Sequence, residues 1–165
     1  MTRRILVPYD GSLHAHCALV EAATRAGRDR ASVTLLAVAP ETRGPLRAER
    51  AMDARVRLLA LLALARGELG KRTRVERVVR SGDPAETILA MVESAGYDLV
   101  VMGASSHAPF HSMHEGSVAH AVRERSQVPV VLTPAIPWRD RVWMRPGPLR
   151  GRGSASPVFA APGMP

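Results

Sequence analysis

The residues best suited to chemistry lie where an apolar run gives way to small side chains. Residues 99–102 form an unbroken apolar run, typical of a parallel strand buried on both faces. The run ends at Gly103, and a loop continues to Gly116-Ser117, where a helical pattern begins at Val118. Glycine lets the backbone approach a ligand closely, and the free N–H groups of a helix start attract negative charge. The pattern predicts an anion-binding turn, which is not a P-loop because no Gly-Lys-Ser/Thr follows.

The elements that must position this turn alternate between strands and helices. Such alternation predicts a parallel sheet with right-handed crossovers. Ser12 is suited to cap the first helix, and Asp83-Pro84 is a typical start for the third. The predicted strands span residues 4–9, 32–39, 74–80, 98–102 and 129–133, and the predicted helices span 13–26, 48–69, 84–95 and 117–125.

Two helices carry apolar stripes that predict which of their faces lies on the sheet. Apolar residues that recur every three or four positions form one side of a helix. The stripes are Met52, Val56, Leu59, Leu62 and Leu69 in the second helix, and Leu13, Cys17, Val20 and Ala23 in the first.

The motif Gly103-x2-Ser106-x9-Gly116-Ser117 resembles the signature of the universal stress protein family, which reads Gly-x2-Gly-x9-Gly-Ser/Thr. Ser106 stands where the nucleotide-binding branch of that family has its second glycine. The resemblance covers residues 3–134, because three further segments are similar to the family in the same order. They are Ile5–Ser12, Gly82–Ala85 and Val128–Val131.

The resemblance implies an α/β fold with a single doubly wound, five-stranded parallel sheet. Its strand order is 3-2-1-4-5, with helices on both faces, and the domain spans residues 1–136. In that order the first and fourth strands are neighbours, and such sheets bind ligands beyond the carboxyl ends of those strands. Asp10 and Gly103, which follow these two strands, should therefore lie close together.

The resemblance also implies a site for ATP, accompanied by Mg²⁺, in that crevice. Asp10 would lie by the ribose and phosphates, Val38 would touch the adenine, and the turn at Gly116-Ser117 would hold the phosphates. The implied nucleotide-binding residues are Pro8, Tyr9, Asp10, Val38, Met102, Gly103, Ala104, Ser105, Ser106, Gly116, Ser117 and Val118.

Three functions stay open at this point. The first is a nucleotide-responsive regulator of the stress response, and the second is a dimeric interaction module of the same family that binds no nucleotide. The third and least favoured is association with nucleic acid through the arginines of the tail. None of these is an enzyme: at most we expect slow ATP hydrolysis, because no positioned base or arginine finger is visible. The resemblance implies a homodimer that pairs through Val130, Val131 and Leu132 of the last strand, while the protein partner stays unidentified.

Three histidines, His107, His111 and His114, fall within eight residues of the loop before Gly116. Histidines at this density coordinate metal in some proteins or sense pH near neutrality. Pro109 argues against a regular helix that would align them, so we expect a solvated loop and no resident metal.

Composition limits the remaining possibilities. The chain has 165 residues, a formal charge of +8 and a single cysteine, Cys17, which fits one domain in a reducing cytoplasm. Its most apolar helical segment, 58–65, is far shorter than the roughly 20 residues of a membrane span. Residues 137–165 contain six prolines, four glycines and five arginines, which predicts a basic disordered tail. Nucleic acid is not an expected partner, because no aromatic residues interleave with the arginines of the body.

Overall fold

The computed structural model describes residues 3–41, 44–104 and 118–134. Strands and helices alternate along this part of the chain, as the sequence predicts. The strands are β1 (Arg4–Pro8), β2 (Ser32–Ala39), β3 (Val75–Ser81), β4 (Leu99–Gly103) and β5 (Val130–Thr133), and the helices are α1 (Leu13–Asp29), α2 (Arg47–Glu68), α3 (Pro84–Ala95) and α4 (Val118–Arg125).

The five strands form one parallel sheet in the order β3-β2-β1-β4-β5. The predicted fold class and strand order are therefore confirmed. Ile5 of β1 is level with Val33 of β2 on one side and with Leu99 of β4 on the other. This register aligns the carboxyl ends of β1 and β4 at the centre of the sheet, where the chain winds away in opposite directions.

Two apolar layers cover the two faces of the sheet. Val7 and Leu35 belong to the layer under α1 and α2, whereas Leu6 and Leu36 belong to the layer under α3 and α4. Consecutive residues of β1 and β2 thus enter opposite layers, and both layers are fully buried at the centre. This explains why the sequences of β1 and β2 are mostly apolar without alternation.

The helix starts are built as the sequence predicts. The Ala15 N–H donates to Ser12 Oγ at 3.1 Å, and the Glu86 N–H donates to Asp83 Oδ1 at 3.0 Å. Each bond satisfies one of the N–H groups that a helix start leaves without an intrahelical partner. The predicted beginning of α4 at Ser117 lies outside the described residues, which resume at Val118.

The predicted face of α2 is wrong as far as Leu59. Met52 is 61% exposed, Val56 is 59% exposed and Leu59 is 38% exposed, while Leu62 and Leu69 are buried as predicted. Leu58, Leu61, Leu62, Ala65 and Leu69 instead form the face that packs on the sheet and on α1. This helix carries two apolar stripes, and the sequence alone did not decide which one the sheet covers.

The predicted inner face of α1 also needs correction. Ala18, Leu19 and Ala22 are fully buried against the sheet, whereas Leu13 and Val20 are partly exposed. Ala23 is partly buried and packs against the same layer, as predicted. The buried side of α1 is rich in alanine, and these small side chains let the helix pack close to the strands. Cys17 is buried, as predicted, and α1 continues past Ala26 to Asp29 before Arg30 ends it in a left-handed conformation.

No helix within the described residues is long and apolar enough to cross a membrane.

The orientation of α2 can be tested by comparing two truncations. Leu62→Ala should lower the free energy of unfolding by about 2–5 kcal/mol, because it opens a cavity in the layer under α2. Met52→Ala should change it by less than about 0.5 kcal/mol, since this side chain is largely in solvent. Urea unfolding followed by circular dichroism measures both, and equal losses would contradict the observed orientation.

Candidate functional site

A pocket of about 290 Å³ opens where β1 and β4 end side by side. The first turns of three helices, α1, α3 and α4, complete its walls. Asp10 and Gly103 both line it, so the sequence prediction that these two positions converge is correct. The described residues predicted for the site that line the pocket are Pro8, Tyr9, Asp10, Val38, Met102, Gly103 and Val118.

The other predicted site residues are not part of the described lining. Ala104 does not line the pocket; its N–H donates to the Thr133 carbonyl at 2.9 Å, which extends the pairing of β4 with β5. Outside the described residues lie Ser105, Ser106, Gly116 and Ser117, together with the candidate metal ligands His107, His111 and His114. Their roles stay predictions.

Six lining residues were missed by the sequence analysis. Pro84 and Ile88 come from the start of α3, which must begin at this edge because β3 ends there. The recognised helix start at Asp83-Pro84 was therefore the signal that could have found them. The six missed residues are Ser12, Ala15, Leu36, Pro84, Ile88 and Ala119.

Most of the pocket wall is apolar. Val38 and Val118 are half-buried at the mouth, and Ile88 and Met102 are buried deeper. A flat, weakly polar group of a ligand would find matching surface here. Among the described lining residues there is one carboxylate, Asp10, and neither lysine nor arginine.

The polar end of the pocket is held in place by a turn. The Ser12 N–H donates to Asp10 Oδ1 at 2.9 Å, and Gly11 between them has a φ of 82°, a value that favours glycine. The second carboxylate oxygen of Asp10 has no bond of this kind in the described residues, and the side chain is exposed. Asp10 can therefore accept a hydrogen bond from a ligand hydroxyl or contact a cation.

Tyr9 contributes to the pocket mainly through its backbone. Its ring is buried in the layer under α1 and α2, on the other face of the sheet from Leu36 and Met102. Its N–H donates to the Leu36 carbonyl at 2.7 Å, which prolongs the pairing of β1 with β2. Burial raises the pKa of the Tyr9 hydroxyl above 10.0, and the charges of Glu68 and Asp10 raise it further, so the group stays neutral at physiological pH.

Packing against α1 requires a glycine at position 103, whether or not a ligand binds. A Cβ on Gly103 would lie 2.5 Å from His14 Cβ and 2.7 Å from the His14 carbonyl carbon. The neighbouring Thr133 hydroxyl is within hydrogen-bond distance of the Met102 carbonyl (3.3 Å) and the His14 carbonyl (3.4 Å). The first turn of α1 therefore rests on the end of β4, and this contact holds two walls of the pocket together.

Residues 1–134 match the model of the universal stress protein family. The chain belongs to this family. None of the curated proteins matches it. Among the described residues of this universal stress protein, no group of three or more histidine, cysteine or acidic side chains is arranged to hold a metal ion.

Solved structures of relatives share the fold. The hypothetical protein MJ0577, whose structure served as a test case for assigning biochemical function, is 24% identical, with a TM-score of 0.73 over 83% of this chain and 99% of its own. A universal stress protein in complex with cAMP is 19% identical, with a TM-score of 0.66 over 81% of this chain and 98% of its own. One from Archaeoglobus fulgidus in complex with dAMP is 21% identical, with a TM-score of 0.57 over 80% of this chain and 97% of its own.

The packing role of Gly103 predicts a loss of stability when it gains a side chain. Gly103→Ala should lower the free energy of unfolding by about 1–3 kcal/mol, because the neighbouring atoms include the backbone of α1, which cannot move aside freely. Gly27→Ala is the matched control: Gly27 lies within α1 with nothing within 4 Å, so alanine should add up to about 1 kcal/mol. Chemical denaturation of both variants measures the difference, and a neutral Gly103→Ala would contradict the contact.

Proposed function

We propose that this universal stress protein binds an adenine nucleotide in the pocket between β1 and β4 and acts as a nucleotide-responsive regulator of the stress response. The observation that carries the proposal is the convergence of Asp10, Val38 and Met102 on one pocket, although they are far apart in sequence. The complexes of two relatives with cAMP and dAMP support the same class of ligand.

The size and lining of the pocket favour a mononucleotide. A volume of about 290 Å³ lies just below the range of roughly 300–1,000 Å³ that ligand pockets span. The apolar wall formed by Val38, Ile88 and Met102 suits a planar base, while Asp10 at the polar end suits a ribose hydroxyl. A base with its sugar fills such a volume, which leaves the phosphates to the proposed partners that follow Gly103 in the sequence.

The phosphates would meet backbone N–H groups rather than basic side chains. The described lining contains no lysine or arginine, so their charge must be stabilised by the turn after Gly103 and by the start of α4. Ser105, Ser106, Gly116 and Ser117 are the proposed partners of the phosphates, with ATP and Mg²⁺ as the proposed ligand. Asp10 is the residue within the described lining that can contact the cation.

The same lining argues against an enzyme. Phosphoryl transfer requires a group that orients the attacking nucleophile and cations that neutralise the developing charge. Asp10 is exposed and engaged in its own turn, and the described lining offers no other ionisable side chain near neutral pH. We propose a binding protein in the cytoplasm, with slow ATP hydrolysis at most.

One observation favours the alternative, a dimeric interaction module that binds no nucleotide. Gly103 is required by the contact between α1 and β4, so its presence does not by itself indicate a ligand. Ser106 adds a Cβ where the nucleotide-binding branch has glycine. A measurement of binding must therefore decide between the two functions.

Thermal unfolding with ATP and Mg²⁺ tests the proposed ligand. At about 100 times the dissociation constant, ATP should stabilise the protein by about 2.7 kcal/mol. Val38→Phe should abolish this shift, because the larger ring occupies the pocket. Val78→Phe is the matched control: Val78 is also half-buried under the α3 side of the sheet but does not line the pocket.

The outcomes separate the two functions. A shift with the parent protein and the Val78→Phe variant, but not with Val38→Phe, supports nucleotide binding in this pocket. If the Val38→Phe variant is still stabilised by ATP, the nucleotide binds at another site. No shift at millimolar ATP would favour the interaction module.

We also propose that the chain forms a homodimer through the open edge of β5. Val130, Val131 and Leu132 are half-buried, and within the described residues β5 pairs with β4 alone, which leaves its other edge open. The Pro129 carbonyl accepts a hydrogen bond from the Val100 N–H, and the Thr133 carbonyl accepts one from the Ala104 N–H. Because backbone groups alternate in direction along a strand, the N–H and carbonyl groups of Val130 and Leu132 face the open edge. A second copy could continue the sheet there.

A proline at position 132 tests this edge. Leu132→Pro removes an N–H that faces outward, and it should lower the mass of the assembly observed by sedimentation velocity. Leu132→Ala loses a similar amount of packing but keeps the N–H, and it should retain the assembly. Equal behaviour of the two variants would contradict pairing through β5.

A further inference from the structure

The outer side of α2 carries an apolar stripe that neither the sheet nor another described helix covers. We infer that this outer stripe, formed by Met52, Val56, Leu59 and Ala63, binds the outer stripe of a second copy of this chain. All four residues are exposed, with 38% of Leu59 and 61% of Met52 accessible. The interface would be separate from the open edge of β5.

The spacing of the outer stripe is that of a helix–helix seam. Its members are separated by four, three and four residues, which keeps them on one side of a helix with 3.6 residues per turn. The buried face of α2, which includes Leu58, Leu62 and Ala65, points the other way. The solvent side of this leucine-rich helix therefore offers a second apolar seam that another helix can cover.

The stripe is complementary to itself in the antiparallel direction. A two-fold axis through the point midway between residues 57 and 58 places Val56 opposite Leu59 of the second copy. The same axis places Met52 opposite Ala63, so that a large side chain meets a small one. In an antiparallel pair about this axis, two residues lie opposite each other when their numbers add up to 115, as those of both pairs do.

Charges at the two ends of the stripe fit the same axis. Glu49 is exposed one turn before Met52. Arg66 lies one turn after Ala63; it is half-buried, and its Nη1 donates to the Leu69 carbonyl at 3.1 Å. The axis sets Glu49 of one copy level with Arg66 of the other, whose remaining N–H groups are available to the carboxylate at each end. A parallel arrangement in register would instead set Glu49 against Glu49, so charge favours the antiparallel partner.

The position of α2 leaves room for this partner. The helix packs over β2 and β3, whereas β5 is at the opposite edge of the sheet. The seam from Glu49 to Arg66 is about 26 Å long at 1.5 Å per residue. One short helix pair buries less area than the roughly 1,200–2,000 Å² of a stable complex, so the association should be weak and concentration-dependent.

Cysteine cross-linking tests both the contact and its direction. In a Cys17→Ala background, an equal mixture of Met52→Cys and Ala63→Cys proteins should form a disulfide-linked dimer under mild oxidation, because positions 52 and 63 face each other. Neither variant alone should do so, since identical positions are about 16 Å apart along the seam and a disulfide spans much less. The full chain is used, both with Leu132 and with Leu132→Pro, so that failure of the β5 proposal stays distinguishable.

A pair of glutamate substitutions measures the energetic role of the stripe. Val56→Glu should weaken the association at least tenfold in sedimentation equilibrium, because it brings two carboxylates close to the axis. Leu64→Glu is the matched control: Leu64 is 77% exposed on the same helix but lies outside the stripe. It should change the association less than twofold.

Each outcome supports or overturns the inference. Cross-linking that occurs in the mixture alone, and is lost with Val56→Glu but not with Leu64→Glu, supports it. No cross-link at millimolar protein, or an equally efficient link with Met52→Cys alone, overturns it. A monomeric Met52→Cys variant whose introduced thiol reacts only after residues 135–165 are removed would assign the stripe to that segment and also overturn it.

Discussion

The close approach of α1 to the end of β4 is the constraint on which the rest of this structure depends. A Cβ at Gly103 would lie only 2.7 Å from the carbonyl carbon of His14. Because no side chain separates them, the turn at Asp10 and the end of β4 become walls of one pocket. The Thr133 hydroxyl, positioned at the Met102 and His14 carbonyls, ties β5 to the same point. Gly103 therefore contacts α1, lies beside the Thr133 hydroxyl of β5 and lines the pocket.

This constraint changes how the signature glycines are interpreted. A glycine at the end of a strand can serve a ligand, because it lets phosphate approach the backbone, or it can serve packing. Gly103 serves packing, since the space above it is occupied by α1. The case for a nucleotide consequently depends on the shape of the pocket and on the residues after Gly103, rather than on Gly103 itself. Asp10, unlike Gly103, is not occupied by packing: its exposed carboxylate accepts one hydrogen bond, from the Ser12 N–H, and remains accessible to a ligand.

The sequence predicted the sheet well because its signals there are local and unambiguous. Central strands that are buried on both faces, such as β4, read as continuous apolar runs, and caps such as Ser12 and Asp83 mark the helix starts. The orientation of α2 could not be predicted in the same way. Leucines occur on two sides of this helix, and only the packing of Leu58 and Leu62 against the sheet selects the inner side. By contrast, the helix start at Asp83-Pro84 was a local signal that could have placed Ile88 at the pocket, because β3 ends at the same edge.

The two edges of the sheet differ in a way that bears on assembly. β3 exposes charged side chains along its length, among them Glu76, Arg77 and Arg80. Charged residues on an edge strand discourage pairing with another sheet, because association would bring the charges together or bury them. β5 instead presents Val130, Val131 and Leu132, which carry no such charge. Continuation of the sheet is therefore favoured at β5 and opposed at β3, whereas on the β3 side α2 exposes apolar side chains such as Met52 and Val56.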